Sequence, residues 1–161
     1  VQESEQMDRI RSARIFLISH QPFFGHLAMY LKIEEQKGAG GSKTMATDGK
    51  TIWYDPDFVK GLTNKQLLFC LCHEVMHAAL RHPKRGMQRP DHLKYNKAGD
   101  CLINTILSKN SVGEKPPFVL MPDSVKWKNP IKGDVLDHSA DEIYFMMDDE
   151  EGDEGKKVGI W

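Results

Sequence analysis

The chain has 161 residues, 40% of them hydrophobic and 28% charged, which suits one globular domain with a real core and leaves no room for a second catalytic domain. A net charge of −1 argues against a chain built as a whole for nucleic acid or an anionic membrane, and no apolar run approaches the roughly 20 residues of a membrane span. The start lacks the layout of a signal peptide, and Cys70, Cys72 and Cys101, odd in number and all inside apolar stretches, predict a reducing, cytoplasmic setting rather than a disulfide framework.

In chain order, a first helix is predicted over residues 7–19, with Ile10, Ala13, Ile15, Phe16 and Ile18 as its apolar content and Pro22 and Gly25 interrupting the pattern after it. Met29, Leu31 and Ile33 alternate with Tyr30, Lys32 and Glu34, which predicts a strand. A second extended stretch, 51–54, follows the Asp48-Gly49 turn, and the two are expected to pair in a small antiparallel sheet. Asp55-Pro56-Asp57 punctuates, and a short helical turn around Phe58 and Val59 ends at Gly61.

Thr63-Asn64-Lys65-Gln66 then reads as a capping box opening a long helix, apolar nearly all round and free of Gly and Pro until Pro83. Within it stands His73-Glu74-Val75-Met76-His77. Side chains four apart on a helix differ by about 40° in azimuth and about 6 Å in height, so both imidazoles can reach one metal ion. Glu74 beside them is placed to take a proton from a water that zinc has acidified to a pKa of roughly 7. A polar His-Glu-His set on a buried helix needs partners to offset its desolvation, and a zinc ion supplies them. Cys70 and Cys72 point about 200° apart and cannot join the two histidines, so they read as small core residues.

A further helix is expected over 93–107, joined to the motif helix by a loop over 85–92, and Ser139-Ala140-Asp141-Glu142 is a second capping box opening a short helix. A catalytic zinc usually has three protein ligands and one open position. Asp100, in the helix after the motif, has the geometry to be the third, because a buried carboxylate in an apolar helix is costly unless it meets a cation or a donor. His82 lies about 180° around from His73 on a continuing helix and joins only if the chain turns sharply before Pro83; otherwise it caps the helix end. Tyr54, Tyr95, His82 and His92 are the candidates to steady an oxyanion. The element order, helix, strands, long helix, helix, loop, helix, argues α+β.

The charge is uneven along the chain. Arg81, Lys84, Arg85, Arg89, Lys94 and Lys97 follow the motif, whereas residues 148–154 are almost wholly acidic and read, with the rest of 148–161, as a solvated and disordered tail or linker beyond a domain over 1–147. Opposite charge runs attract over about 8 Å at physiological salt, so the tail is also a candidate to fold over the basic loop.

The chain resembles the metallopeptidase-like domain family that stands ahead of a von Willebrand A-like domain in many bacterial and phage proteins. The resemblance covers most of the sequence and is carried by Gln21-Pro22-Phe23-Phe24-Gly25, Thr47-Asp48-Gly49, Tyr54-Asp55-Pro56-Asp57-Phe58-Val59, the His73 to His77 motif with Leu80 and His82, then Asn96, Ala98, Asp100 and Asn104, and finally Ser139-Ala140-Asp141-Glu142-Ile143-Tyr144. Tyr95 stands where that family usually has Trp, and Gly99 where a larger helix former is common, a departure worth roughly 1 kcal/mol of helix stability. The resemblance implies a zincin-like fold in which a small, mainly antiparallel sheet borders the cleft with its edge strand, a protein or peptide substrate, and a von Willebrand A-like companion domain. The leading expectation is therefore a zinc metallopeptidase with His73, His77 and Asp100 as ligands and Glu74 as general base. The alternative is a zinc-stabilised interaction module without turnover. Nucleic-acid binding through 81–97 is the weakest reading, since the loop lacks interleaved aromatics beyond Tyr95.

Overall fold

A computed structural model describes residues 4–41 and 43–149 of the chain. The first helix, α1 (Glu5–His20), opens on Ser4, whose hydroxyl accepts from the Met7 N–H, and buries Ile10, Ala13 and Leu17 along one face. The helical pattern is interrupted before Pro22, where Gln21 is non-helical, but Pro22 then begins a new helix, α2 (Pro22–Ala28), at a position where its missing N–H costs nothing, and Gly25 lies inside that helix without breaking it. Gly25 lets α2 press onto α1, since a Cβ there would stand 2.4 Å from the Ile18 nitrogen.

The expected strand over 29–34 begins later than its alternation suggests. The N–H groups of Met29, Tyr30 and Leu31 bond back to the carbonyls of His26, Leu27 and Ala28, closing α2, and β1 spans only Lys32–Glu35. Its pairing also differs from the expectation. β3 (Thr51–Tyr54) lies in the middle of a three-stranded mixed sheet, parallel to β1 and antiparallel to β2 (Met45–Thr47). The Asp48-Gly49 turn thus joins β3 to β2, a three-residue strand too short to show in the hydrophobic pattern, and the sheet is not mainly antiparallel.

Asp55 caps α3 (Pro56–Lys60), accepting from the N–H groups of Asp57, Phe58 and, across a loop, Gly38; these bonds, that of Gly38 foremost, hold its carboxyl below the usual range. The motif helix α4 (Asn64–Ala79) opens with the expected reciprocal capping box of Thr63 and Gln66. Arg9 of α1 ties the junction in place, donating to the carbonyls of Val59 and Leu62 and to Asn64 Oδ1. A short helix, α5 (His82–Gly86), takes up part of the segment expected as a loop, and α6 (His92–Lys109) returns alongside α4. The last helix among the described residues, α7 (Ala140–Met146), carries the second capping box.

The architecture is α+β, and α6 separates two apolar clusters. One face of α6 gives Ile103 and Leu107 to the main core of α1, α2, α4 and the sheet, and the other gives Ala98, Cys101 and Leu102 to a smaller core with Ile143 and Tyr144 of α7. Burial of this apolar surface supplies most of the folding free energy. The polar ligand cluster described below is placed between α4 and α6. Among the described residues no helix is long and apolar enough to cross a membrane.

Arg85, Arg89 and Lys94 of the basic run find partners within the fold. Arg85 and Arg89 both bind Asp141 of α7; burial works to raise that carboxyl's pKa, but the two guanidiniums outweigh it and hold it below the ordinary value. Lys94 pairs with Asp149 at 2.6 Å and lies over the Tyr144 ring. Asp149 also meets Lys128, and the Asp148 N–H donates to Lys126 O, while the remainder of the acidic run, 150–161, lies outside the described residues.

Candidate metal centre

Three donor atoms from two helices meet at one point. His73 Nε2 and His77 Nε2, one turn apart on α4, are 2.9 Å from each other, and Asp100 Oδ1 of α6 stands 3.0 Å from the first and 2.8 Å from the second. All three side chains are buried. Burial alone would raise the Asp100 pKa, but the His73 and His77 rings beside it hold it below the usual carboxylate range.

The donor set fits a divalent cation. Two imidazole nitrogens and a carboxylate are a usual ligand set for zinc, and a tetrahedral ion with bonds of about 2.0–2.1 Å separates its ligands by about 3.3 Å, so the triangle needs to open by only a few tenths of an ångström. The side chains behind it favour the same conclusion. His73 Nδ1 lies 2.7 Å from Asn104 Oδ1, and the Asn104 amide is oriented by its own Nδ2 donating to Leu120 O at 3.0 Å. The ring therefore donates from Nδ1 and presents a lone pair at Nε2, as a metal-binding imidazole must.

His82 does not belong to the triangle, although the sharp turn that it required is present. Arg81 adopts the left-handed conformation, with φ 57° and ψ 32°, which ends α4 and swings His82 back beneath His77. There its Nδ1 meets His77 Nδ1 at 3.0 Å, on the side of the ring away from Asp100. Burial, with His77 and Arg85 adding to it, pushes the His82 pKa down to about 3, so this ring is neutral. Gly99 faces the pair across the helix interface. A Cβ at that position would stand 2.7 Å from His82 Nδ1 and 3.3 Å from His77 Cε1, so the residue that weakens α6 in isolation is what admits the second imidazole.

A cleft of about 120 Å³ adjoins the triangle, lined by β2 from Met45 to Thr47, by Glu74, His77, His82 and Pro83, and by Asn96. Glu74 is 3% exposed, and burial first, with the charge of Asp100 adding and His77 opposing, lifts its pKa to about 7. Of the four oxyanion candidates, His82 alone lines this cleft. The Tyr54 hydroxyl donates to Glu35 Oε1, Tyr95 is packed behind His82 with ring centroids 5.9 Å apart, and His92 is exposed at the start of α6. Asn96, which sequence reasoning placed only among family marks, is in the cleft wall. Asn104 was likewise a mark without a role, and the Leu120 carbonyl that orients it carries no signal in the sequence.

A sequence model of one protein family, described as "Putative metallopeptidase domain", matches residues 5–159. The chain belongs to that family. No curated protein and no solved structure matches it. The family description and the His73, His77 and Asp100 cluster agree on a metal-dependent role.

Proposed function

We propose that this family member is a zinc-dependent metallopeptidase in which His73, His77 and Asp100 hold Zn²⁺ and Glu74 is the general base. The observation that carries this reading is the convergence of the three donor atoms beside a cleft that Glu74 also lines. When bound, the ion supplies an electrophile for a scissile carbonyl and acidifies a water to near neutrality. Glu74 accepts a proton at its carboxylate and passes it to the leaving amine.

The cleft wall suits an extended peptide. The Asp55 N–H donates to Thr44 O and the Asp48 N–H to Thr51 O, so alternate residues of β2 face β3, and Met45 and Thr47 turn their backbone groups to the open edge. A substrate strand added along that edge passes Glu74 and His77, with the Asn96 amide opposite as a donor to the developing oxyanion. The reading brings with it a protein or peptide substrate, a reducing cytoplasmic setting for three buried free thiols, and a catalytic domain over 1–147 with the acidic 148–161 run beyond it. A von Willebrand A-like companion domain is part of the same proposal.

The test is Glu74→Gln, assayed by cleavage of a denatured proteome with elemental analysis in parallel. The variant is expected to keep stoichiometric zinc and lose about 100- to 10,000-fold in hydrolysis. Full activity in the variant overturns the base assignment, iron in place of zinc overturns the cofactor, and zinc whose chelation unfolds a parent protein that cleaves nothing favours the interaction module.

A further inference from the structure

The two motif histidines are oriented by partners of different kinds. On His73 the direction of the hydrogen bond is set, because Asn104 offers it an amide oxygen and has already committed its Nδ2 to Leu120 O. On His77 it is not. A contact between two imidazole Nδ1 atoms works in either direction, since each neutral ring carries one proton and one lone pair.

We propose that His77 and His82 form a tautomeric pair that reverses when a divalent metal binds, so that His77 stays hydrogen-bonded in both states and offers its Nε2 lone pair only in one. This rests on the metal reading above. In the metal-free state His82 Nδ1–H donates to His77 Nδ1, and His77 Nε2–H donates to Asp100 Oδ1, 2.8 Å away. In the metal-bound state the His77 proton resides on Nδ1 and donates to His82 Nδ1, and the His82 proton resides on Nε2. Each ring keeps one proton throughout, exchanged from one of its nitrogens to the other by way of water, so charge is unchanged.

Two features of the structure fit this device. His82 Nε2 is buried and has no hydrogen-bond partner, so a lone pair there is tolerated in the metal-free state, whereas an N–H there in the metal-bound state has no acceptor. The reversal therefore sets metal affinity below that of a site whose outer partners are all committed. Gly99 is the second feature. A Cβ at that position would stand 2.7 Å from His82 Nδ1 and 3.3 Å from His77 Cε1, and it has none.

The experiment uses the full chain labelled with ¹⁵N-histidine and long-range proton–nitrogen correlation spectra, without metal and with Zn²⁺ alone. His77 is expected to change from the Nε2–H to the Nδ1–H tautomer and His82 from Nδ1–H to Nε2–H, while His73 keeps Nδ1–H in both spectra. An unchanged tautomer at His77 or at His82 in the zinc-bound protein overturns the proposal and leaves the metal site standing. Failure of the parent protein to bind zinc overturns both. His82→Phe, which keeps ring volume and loses both nitrogens, is expected to weaken zinc binding by about 10- to 100-fold, and His82→Asn, whose amide can accept at nearly the same place, to restore most of it. Parent-like affinity in the Phe variant also overturns the proposal.

Discussion

His73 and His77 stand one turn apart on the same helix, yet the protein secures them by different means. The inner ring is fully buried and held by a polar chain that runs from Asn104 to the backbone of Leu120, every member of it committed. The outer ring lines the cleft and is held by another imidazole, brought there by a left-handed residue and given space by a glycine. On the proposed reading, rigid support is found where nothing has to enter, and adjustable support where a substrate would approach. A search for metal ligands by spacing sees the two histidines as equivalent; their outer partners make them unequal.

The largest effect is expected where the two halves join. Asp100→Asn removes the charge that both rings share, and zinc affinity measured by competition with a chelator should fall by more than about 100-fold, beyond what the loss of an outer partner alone costs. Affinity within tenfold of the parent would mean that the triangle is a hydrogen-bonded core cluster and that the contrast between its halves has no functional content.

Next comes the inner half alone. Asn104→Ala leaves the His73 N–H buried without its acceptor, which should cost about 1–3 kcal/mol in urea unfolding. Because the inner ring is the fixed one, the loss should be present with or without metal, and a loss seen only in the zinc-bound protein would reverse the assignment of rigid and adjustable sides.

The smallest effect tests the outer half. Gly99→Ala improves helix propensity by roughly 1 kcal/mol but drives a methyl group into His82, and overpacking of this kind costs typically about 1–3 kcal/mol. A net loss of about 1 kcal/mol in thermal or urea unfolding is expected, together with weaker zinc binding. A stabilised variant with unchanged affinity would show that the two rings do not need the space that the glycine leaves.

Much of the helical framework was legible because its signals are local. The capping boxes at Thr63 and Ser139 mark their helices, and the apolar content of residues 67–80 states that α4 is buried. The sheet was less so. Alternation at 29–34 was partly the closing turn of α2, and β2 is three residues long, so neither the parallel pairing of β1 nor the identity of the hairpin could be read from periodicity. Arg81 offered no warning of its left-handed backbone, since an arginine is not a residue that favours that region, and the return of His82 depends on it.

What the sequence by itself determined is the type and spacing of the candidate site groups: two imidazoles and a carboxylate on one helix, a second carboxylate on the next, and apolar surroundings that oblige them to find one another. Helical periodicity converts sequence spacing directly into direction, so that much needs no tertiary information. Only the packed structure decided which atoms lie behind those groups. A backbone carbonyl from a loop sixteen residues after Asn104 and the missing side chain at Gly99 act through contacts between segments remote in sequence, and the return of His82 to His77, five residues away, turns on a left-handed Arg81 that no local preference encodes.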